Sequence, residues 1–354
     1  MTGFGALAAG GLAWCEGGEV VGLDGLGDVF ASSTLNPLLA LGRPGWDEAI
    51  AAARAYDGPR TSVGEARMRL PFEVADYVDF YASLEHASNM GRILRPGQDP
   101  LRPNWRWLPI GYHGRAGTVV VSGTDVLRPS GELKPDDGDP VYGPTNRLDL
   151  ELELGFVVGV PSPPGEAVPV EEFPEHVFGV VLVNDWSARD IQAWEYVPLG
   201  PFLGKSFQTS ISAWVTPLPL LEPRRVEAPP QDPPPLEHLA GGRDWALDLE
   251  LEIELNGEVV SRGNSRTLYW TMPQQLAHAT SNGASVRTGD LMATGAISGP
   301  ARGSEGSLLE LWEGERFLAD GDEVVLRARG GDVALGEVRG RIVSRPSNRG
   351  SARA

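Results

Sequence analysis

Two glutamates two positions apart, Glu151 and Glu153, lie in the alternating segment LDLELEL at residues 148–154. In a strand, residues i and i+2 face the same way, so both carboxylates and Asp149 would share one face, with the leucines on the other. Neighbouring carboxylates repel each other and need either water or a cation between them. Hard cations such as Ca²⁺ and Mg²⁺ take oxygen ligands, so this face could hold one of them.

The same pattern also suits a half-buried strand with a solvated acidic face. A second segment, LDLELEIEL at residues 247–255, shows the same alternation over a longer stretch. Alternation alone therefore does not decide which of the two strands, if either, binds a metal.

Two aspartates are further candidates for the same chemistry. Asp185 follows the apolar run at 177–183, and a polar cluster at the end of a buried strand is a common place for a site. Aspartate is also a favoured N-cap, so Asp185 could instead cap a following helix. Asp79, in the segment DYVDFY at 76–81, could equally lie in a turn or at a strand end.

The elements that must position these residues are mostly strands. Gly (45 residues) and Pro (30) are frequent without a strict repeat, which indicates many turns. The hydrophobic pattern predicts strands at 118–122, 148–160, 177–183, 246–255, 323–327 and 340–343, with a hairpin turn at Asn256-Gly257. It predicts helices at 35–57 and 272–282, and an extended surface loop at the proline-rich stretch 217–235.

A chain of 354 residues favours one large domain with a smaller one. The pattern breaks at RLPF, residues 69–72, which predicts a smaller domain at 1–70 and a larger one at 71–354.

The formal net charge of −18 predicts no nucleic-acid partner and no membrane-surface partner, because an acidic chain repels phosphates and anionic lipid. Cys15 is the only cysteine, so the chain cannot form an intramolecular disulfide, which favours a reducing, cytoplasmic setting. No apolar run approaches the roughly 18 to 20 residues of a membrane span.

Longer motifs surround the acidic residues and follow one another in order over most of residues 70–345. They are DYVDFY at 76–81, HASNMG at 86–91, PNW at 103–105, LPIGYHGR at 108–115, LKPDD at 133–137, NDWSARDIQ at 184–192, WEYVPLGPFLGKSF at 194–207, YWTM at 269–272, GD at 289–290, ISGP at 297–300 and GSLLE at 306–310. With these motifs the chain closely resembles the fumarylacetoacetase family. Residues 1–70 match more weakly and look shorter than the family's N-terminal domain.

The resemblance implies a mostly β (α+β) fold, with a small N-terminal SH3-like β-barrel and a larger mixed β-roll catalytic domain. It also implies a homodimer that hydrolyses a carbon–carbon bond in 4-fumarylacetoacetate. The products would be fumarate and acetoacetate, in the last step of tyrosine and phenylalanine degradation. One alternative is another diketo-acid hydrolase of the superfamily, such as an acylpyruvate hydrolase, and another is a non-catalytic metal-binding paralogue.

The resemblance also assigns roles to residues of this chain. It implies a Ca²⁺ or Mg²⁺ site with the ligands Asp79, Glu151, Glu153 and Asp185, and with Lys205 and Thr209 beside the metal. It implies that His86 is the general base, that Glu310 orients it, and that Arg189, Gln192 and Lys205 take part in catalysis.

The substrate-binding positions implied by the resemblance are Tyr81, Arg95, Tyr112, Arg189, Gln192, Tyr196 and Ala296. One of them departs from the family. The family's GTISG is GAISG here, at residues 295–299, so Ala296 lacks the threonine hydroxyl. If the family contact is made through the side chain, substrate affinity or identity would change.

Overall fold

The computed structural model describes residues 1–345. The strands in this part of the chain are β1 (Gly3–Leu7), β2 (Leu12–Glu16), β3 (Glu19–Gly22), β4 (Arg60–Ser62), β5 (Met68–Arg69), β6 (Tyr77–Phe80), β7 (Gly111–His113), β8 (Val119–Val121), β9 (Val126–Leu127), β10 (Ser130–Leu133), β11 (Val141–Pro144), β12 (Leu148–Asp149), β13 (Leu152–Val158), β14 (Val177–Asp185), β15 (Ser187–Ala188), β16 (Thr209–Ile211), β17 (Trp214–Pro217), β18 (Arg225–Val226), β19 (Ala246–Leu247), β20 (Glu250–Leu255), β21 (Glu258–Asn264), β22 (Leu291–Ala293), β23 (Glu323–Gly330) and β24 (Val333–Val343).

The helices between these strands are short. They are α1 (Asp28–Ala31), α2 (Asn36–Leu39), α3 (Gly42–Ala55), α4 (Leu84–Leu94), α5 (Phe173–His176), α6 (Arg189–Glu195), α7 (Leu203–Ser206), α8 (Leu218–Leu221), α9 (Met272–Thr280) and α10 (Leu308–Leu311). Single 3₁₀ turns occur at Asp24–Leu26, Ala116–Thr118, Val170–Glu172, Glu222–Arg224, Glu237–Leu239, Arg243–Trp245 and Ser265–Thr267. Within residues 1–345, none of the helices has the length and apolar character needed to cross a bilayer.

The largest sheet carries most of the site. Its main path runs β4-β3-β2-β1-β17-β14-β13-β22-β6-β7, and β5, β8 and β16 pair along its sides. Every residue of β13 and β14 is buried, as expected of apolar strands that are covered on both faces. A smaller sheet, in the order β21-β20-β23-β24-β9, packs nearby. The chain is therefore a strand-rich mixed α/β protein, as predicted.

The N-terminal strands do not stand apart from this sheet. Strand β1 pairs with β17, with Phe4 opposite Val215, and so joins residues 3–22 to the large sheet. Among residues 1–345 no sheet closes into a barrel, so the expected SH3-like barrel is not confirmed. The boundary at residue 70 stays a prediction, and the end of the predicted second domain, 346–354, lies outside the described residues.

Most of the predicted elements are confirmed. Strands β13, β14, β20, β23 and β24 fall where the pattern placed them, and β20 and β21 form the predicted hairpin. The helix predicted at 35–57 is two helices, α2 and α3. The proline-rich stretch was predicted as an extended loop, and in part this is wrong, because α8 forms there and buries Leu218 and Leu221. Pro219 is tolerated because it lies in the first turn, where its missing N–H breaks no helical hydrogen bond.

Strand β20, which belongs to the second alternating segment at 247–255, is the look-alike of β13 in sequence. Its glutamates form ion pairs and, within residues 1–345, do not join an acidic cluster. Glu252 and Glu254 lie 3.2 Å and 2.7 Å from the guanidinium of Arg327, and Glu250 lies 3.0 Å from that of Arg329. These are cross-strand ion pairs with β23, in a setting that is partly exposed to solvent. Arginine therefore supplies the positive charge that these three glutamates need.

Candidate active site

Three carboxylates meet where β6, β13 and β14 run through the large sheet. Asp79, Glu153 and Asp185 each offer one oxygen, and these oxygens all lie within 4.8 Å of one another. All three side chains are buried. The sheet places them together because β22 lies between β6 and β13, with Ala293 paired to Asp79 on one side and to Gly155 on the other.

Burial and mutual repulsion act on this cluster. Burial, and then the charge of Asp185, raise the pKa of Asp79 well above its ordinary value. Burial, and then the charge of Asp79, raise the pKa of Glu153 in the same way. Such shifts are typical of like charges held together away from water, and they favour protons or a cation in the cluster.

Hydrogen-bond donors satisfy only part of the cluster. The hydroxyls of Tyr77 and Tyr112 donate to Asp79 Oδ2 at 2.9 Å and 3.1 Å. The hydroxyl of Thr209 donates to Asp185 Oδ1 at 3.0 Å, and the Tyr112 hydroxyl also lies 2.8 Å from Asp185 Oδ2, so its single proton is shared between the two aspartates. Two oxygens remain: Asp79 Oδ1 and Glu153 Oε1 are buried and have no hydrogen-bond partner among the described residues.

These two unpartnered oxygens test whether the residues fit a metal ion. A buried acceptor without a partner costs free energy, about 1–3 kcal/mol for a typical group and more for a charged one. A divalent cation would satisfy both oxygens and remove the repulsion, and carboxylate oxygens are the ligands that Ca²⁺ and Mg²⁺ prefer. The donor set therefore fits a hard divalent cation.

Gly295 completes the environment of Glu153. Its backbone N–H donates to Glu153 Oε2 at 2.9 Å. Its φ is +76°, and a Cβ at this position would lie 2.2 Å from the carbonyl oxygen of Phe80. A side chain cannot fit there, so glycine is required for the backbone to reach the carboxylate.

Glu151 lies beside the cluster and is held by two cations. Lys205 Nζ is 2.6 Å from Glu151 Oε2 and 2.7 Å from Asp185 Oδ2, and Arg189 Nη2 is 2.8 Å from Glu151 Oε1. Burial alone would raise the pKa of Glu151, but Lys205 and Arg189 outweigh burial and hold it below its ordinary value. Burial alone would lower the pKa of Lys205, but Asp185 and Glu151 raise it. Glu151, Lys205 and Arg189 are therefore charged at neutral pH. The role of Glu151 as a metal ligand stays a prediction.

The alternation at residues 148–154 is interrupted in the structure. Strand β12 ends at Asp149, β13 begins at Leu152, and Glu151 forms an isolated bridge with Ser307. As a result Asp149 contacts Arg189, Glu151 contacts the two cations, and Glu153 joins the acidic cluster.

A histidine–carboxylate pair borders this network. His86 Nδ1 lies 2.6 Å from Glu310 Oε2, and His86 Nε2 lies 3.8 Å from Glu151 Oε1. Burial would raise the pKa of Glu310, but His86 and neighbouring donors outweigh it and lower the pKa. An anionic Glu310 can accept a hydrogen bond from Nδ1, and this contact fixes the orientation of the ring, with Nε2 on the side of Glu151.

Three more of the predicted residues lie next to these groups. The ring of Tyr81 packs edge-on against the ring of His86, with 5.3 Å between centroids. Arg189 Nη1 donates to Gln192 Oε1 at 3.2 Å, one turn along α6. Tyr81 therefore contacts the predicted general base, Arg189 approaches the same Glu151 oxygen as His86, and Gln192 is joined to this network through Arg189.

The remaining predicted residues are Arg95, Tyr196 and Ala296. Arg95 donates to the carbonyl oxygen of Pro100 at 2.8 Å, Tyr196 is 37% exposed, and Ala296 is buried. Within residues 1–345, no hydrogen bond or ion pair joins these three side chains to the acidic cluster. Their substrate-binding roles stay predictions.

The sequence interpretation missed several groups that hold the site together. Ser298 and Ser307 donate to Glu310 at 2.8 Å, and Asn89 donates to it at 3.0 Å. Two patterns in the sequence could have identified such groups. Ser307 and Glu310 have the spacing of a capping box. Tyr77, which donates to Asp79, lies two residues before it and so on the same face of a strand.

Comparisons with known proteins agree with this geometry. The family model described as fumarylacetoacetate (FAA) hydrolase C-terminal matches residues 76–343. Fumarylacetoacetase of Caenorhabditis elegans is 46% identical, with 89% of this chain and 85% of that protein covered. The human fumarylacetoacetase is 45% identical, with 89% and 84% covered.

A solved structure supports the fold. A fumarylacetoacetate hydrolase from the psychrophilic Exiguobacterium antarcticum superposes with a TM-score of 0.63 at 17% identity, over 97% of this chain and 99% of that chain. The identity and coverage of the curated relatives, together with the matched family model, establish the family, and this chain belongs to the fumarylacetoacetase family.

Proposed function

We propose that the chain hydrolyses 4-fumarylacetoacetate to fumarate and acetoacetate, in the degradation of tyrosine and phenylalanine. The observation that carries the proposal is the contact between His86 and Glu310 at 2.6 Å. The other ring nitrogen of His86, Nε2, lies 3.8 Å from Glu151, which binds Lys205 and Arg189. A protein that only binds metal has no use for such a base. The relatives that share the name fumarylacetoacetase support the choice of substrate.

The reaction adds water to a ketone carbon and breaks the adjacent carbon–carbon bond. In our proposal, His86 Nε2 takes a proton from the attacking water while Glu310 keeps Nδ1 protonated. The oxygen adds to the carbonyl carbon that becomes a carboxylate of fumarate. The bonding electrons leave with the other carbon as the enolate of acetoacetate, and that carbon then receives the proton.

Negative charge builds on oxygens in both steps, so fixed cations and donors nearby would stabilise it. We assign this role to Arg189, Gln192 and Lys205. The contacts of Arg189 and Lys205 with Glu151, and of Arg189 with Gln192, support the assignment. An arginine also suits the carboxylates of an acidic substrate, and Arg95 is proposed for that contact. Tyr81, Arg95, Tyr112 and Tyr196 are proposed to line the rest of the substrate site.

We propose Ca²⁺ or Mg²⁺ as the metal, held by Asp79, Glu153 and Asp185, with Glu151 as a fourth ligand and Lys205 and Thr209 alongside. When bound, the ion would supply Lewis-acid polarisation of the diketone oxygens. The unpartnered oxygens of Asp79 and Glu153 support this assignment.

Product analysis tests the proposed reaction. The metal-loaded protein is incubated with fumarylacetoacetate, and proton NMR should show fumarate and acetoacetate forming in equal amounts. A His86→Ala sample serves as the control for contaminating activity. Absence of both products in the wild-type reaction would contradict the proposal.

A second candidate is hydrolysis of another diketo acid, such as an acylpyruvate. Ala296 favours it, because the family's threonine hydroxyl is absent from this position. A comparison of kcat/KM for fumarylacetoacetate and for acylpyruvates separates the two. The leading proposal predicts the higher value for fumarylacetoacetate.

We also propose a homodimer in the cytoplasm, with residues 1–70 as a shortened N-terminal domain. Apolar side chains at Val197, Leu199 and Phe202 are 67%, 96% and 60% exposed, which is typical of a surface that a partner covers. The single buried Cys15 suits a reducing compartment. Sedimentation equilibrium of the full chain tests the dimer, and a monomer mass would contradict it.

A further inference from the structure

Asp149 is a fully buried carboxylate that takes no part in the acidic cluster. Its Oδ2 lies 2.8 Å from both Nε and Nη2 of Arg189, a paired approach to one guanidinium. Its Oδ1 accepts the backbone N–H of Leu308 at 2.9 Å, and Leu309 N–H donates to Oδ2 at 3.3 Å. A single carboxylate therefore contacts two separate parts of the site.

The first part is the substrate-orienting arginine. Arg189 projects from the start of α6, and the same guanidinium reaches Glu151 and Gln192. Its orientation is set by the hydrogen bond from Nε to Asp149 Oδ2 and by the charge of that oxygen, which also lies 2.8 Å from Nη2.

The second part is the segment that carries the partner of the base. Leu308 and Leu309 begin α10, and Glu310 follows them directly. Hydrogen bonds from their amides to Asp149 set the position of α10, and with it the distance from Glu310 to His86. A shift of about 1 Å in a catalytic group can cost about a hundredfold in rate.

We propose that Asp149 is a positioning residue that fixes Arg189 and the Glu310-bearing segment relative to each other. It touches neither the acidic cluster nor the ring of His86, and acts through the two groups it holds. Its effect on turnover rests on the proposed function, but its effect on the α10 segment does not.

The first test is hydrogen exchange of the backbone amides of residues 308–311, measured without substrate. Asp149→Asn keeps the size of the side chain but removes the charge that holds Arg189. It also replaces one of the two accepting oxygens by an NH₂ group, which donates and cannot accept. Exchange should rise at least about tenfold in this segment, since fewer interactions oppose local opening. Asp248→Asn is the matched control, because it occupies the equivalent position of the look-alike segment 247–255 and should leave exchange in 308–311 unchanged.

A second variant keeps the test decisive if Asp149→Asn does not fold. Arg189→Gln leaves the carboxylate without its counter-charge, and this should also raise exchange in residues 308–311, to which Arg189 is linked through Asp149. Unchanged exchange in that segment in Arg189→Gln, or in a folded Asp149→Asn protein, would overturn the proposal.

The kinetic test separates positioning from general stability. In Asp149→Asn, kcat should fall about tenfold to a hundredfold. Mg²⁺ affinity should stay within about threefold, because Asp149 is not part of the acidic cluster. In a Glu310→Gln background the same substitution should cost much less, because the segment it positions has already lost its function. An unchanged kcat, or the same fold loss in both backgrounds, would overturn the proposal. If the wild-type protein turns over no fumarylacetoacetate, the proposed function fails, and the exchange experiment still decides the role of Asp149.

Discussion

His86 and Glu310 are separated by 224 positions in the chain, yet His86 Nδ1 lies 2.6 Å from Glu310 Oε2 in a buried setting. The first residue belongs to α4 and the second to α10, and serines and an asparagine hold the carboxylate from its other sides. The second ring nitrogen of His86, Nε2, lies 3.8 Å from Glu151 Oε1, and our proposal assigns to it the proton of the attacking water.

Replacing His86 with alanine tests this pair. We expect kcat for fumarylacetoacetate to fall about 10²- to 10⁴-fold, the usual contribution of a general base. Mg²⁺ affinity should persist, because His86 is not among the clustered carboxylates, and calorimetric titration measures it. His238→Ala is a matched control, since His238 is exposed and lies in the 3₁₀ turn Glu237–Leu239. Wild-type turnover by His86→Ala would remove the pair from the mechanism.

The two acidic strands can be compared directly. Glu153→Gln should weaken Mg²⁺ binding at least about a hundredfold, because it removes one of the charges that hold the cation, and even indirect partners of a metal site contribute 10- to 100-fold. Glu252→Gln, on the look-alike strand β20, should leave Mg²⁺ affinity unchanged, since Glu252 pairs with Arg327. Equal losses in the two variants, measured by calorimetric titration, would contradict the assignment of the site to β13.

The metal should stabilise the protein more at higher pH. The raised pKa values of Asp79 and Glu153 mean that the folded state binds these protons more tightly than the unfolded chain does. In the metal-free protein this stabilisation is complete below the ordinary carboxyl pKa and is lost as the pH rises through the raised values. Because a cation binds the deprotonated carboxylates, it offsets that loss.

Scanning calorimetry with EDTA and with excess Mg²⁺ measures this effect. The increase in Tm caused by Mg²⁺ should grow from about pH 5 to about pH 8. A Tm increase that stays constant or shrinks over this range would show that Asp79 and Glu153 do not hold the ion.

Restoring the family's threonine tests the role of Ala296. Ala296→Thr adds a hydroxyl, and a new hydrogen bond to substrate is worth about 0.5–1.5 kcal/mol, so KM for fumarylacetoacetate should fall about two- to tenfold. Ala296→Val adds similar bulk without the hydroxyl and should not lower KM. If the two variants behave alike in steady-state kinetics, the side chain at this position does not contact the substrate.

The alternating pattern predicted strand β13 correctly. It did not show that β13, and not β20, contributes to the acidic cluster. The difference lies in the neighbours: β20 faces Arg327 and Arg329 across the sheet, whereas Glu153 faces Asp79 and Asp185. These are pairings between distant segments, which no local pattern encodes. The family motifs were needed to identify Asp79, Asp185, His86 and Glu310 as one set.

Two other features depended on tertiary structure. The break between β12 and β13 gives Asp149, Glu151 and Glu153 different partners, although period-2 alternation places them on one face. The N-terminal strands extend the large sheet through the pairing of β1 with β17 and do not form a separate barrel. Helix α9 was predictable because its signals are local, with Thr271 and Gln274 forming a capping box and Pro273 in the first turn.

The most direct test of metal-dependent hydrolysis follows the absorbance of fumarylacetoacetate with one protein sample. The sample is assayed as purified, after exhaustive chelation, and after addition of Mg²⁺. We predict turnover in the first assay, its loss in the second and its recovery in the third. Undiminished turnover after chelation, or no turnover by the Mg²⁺-loaded protein, would contradict the account.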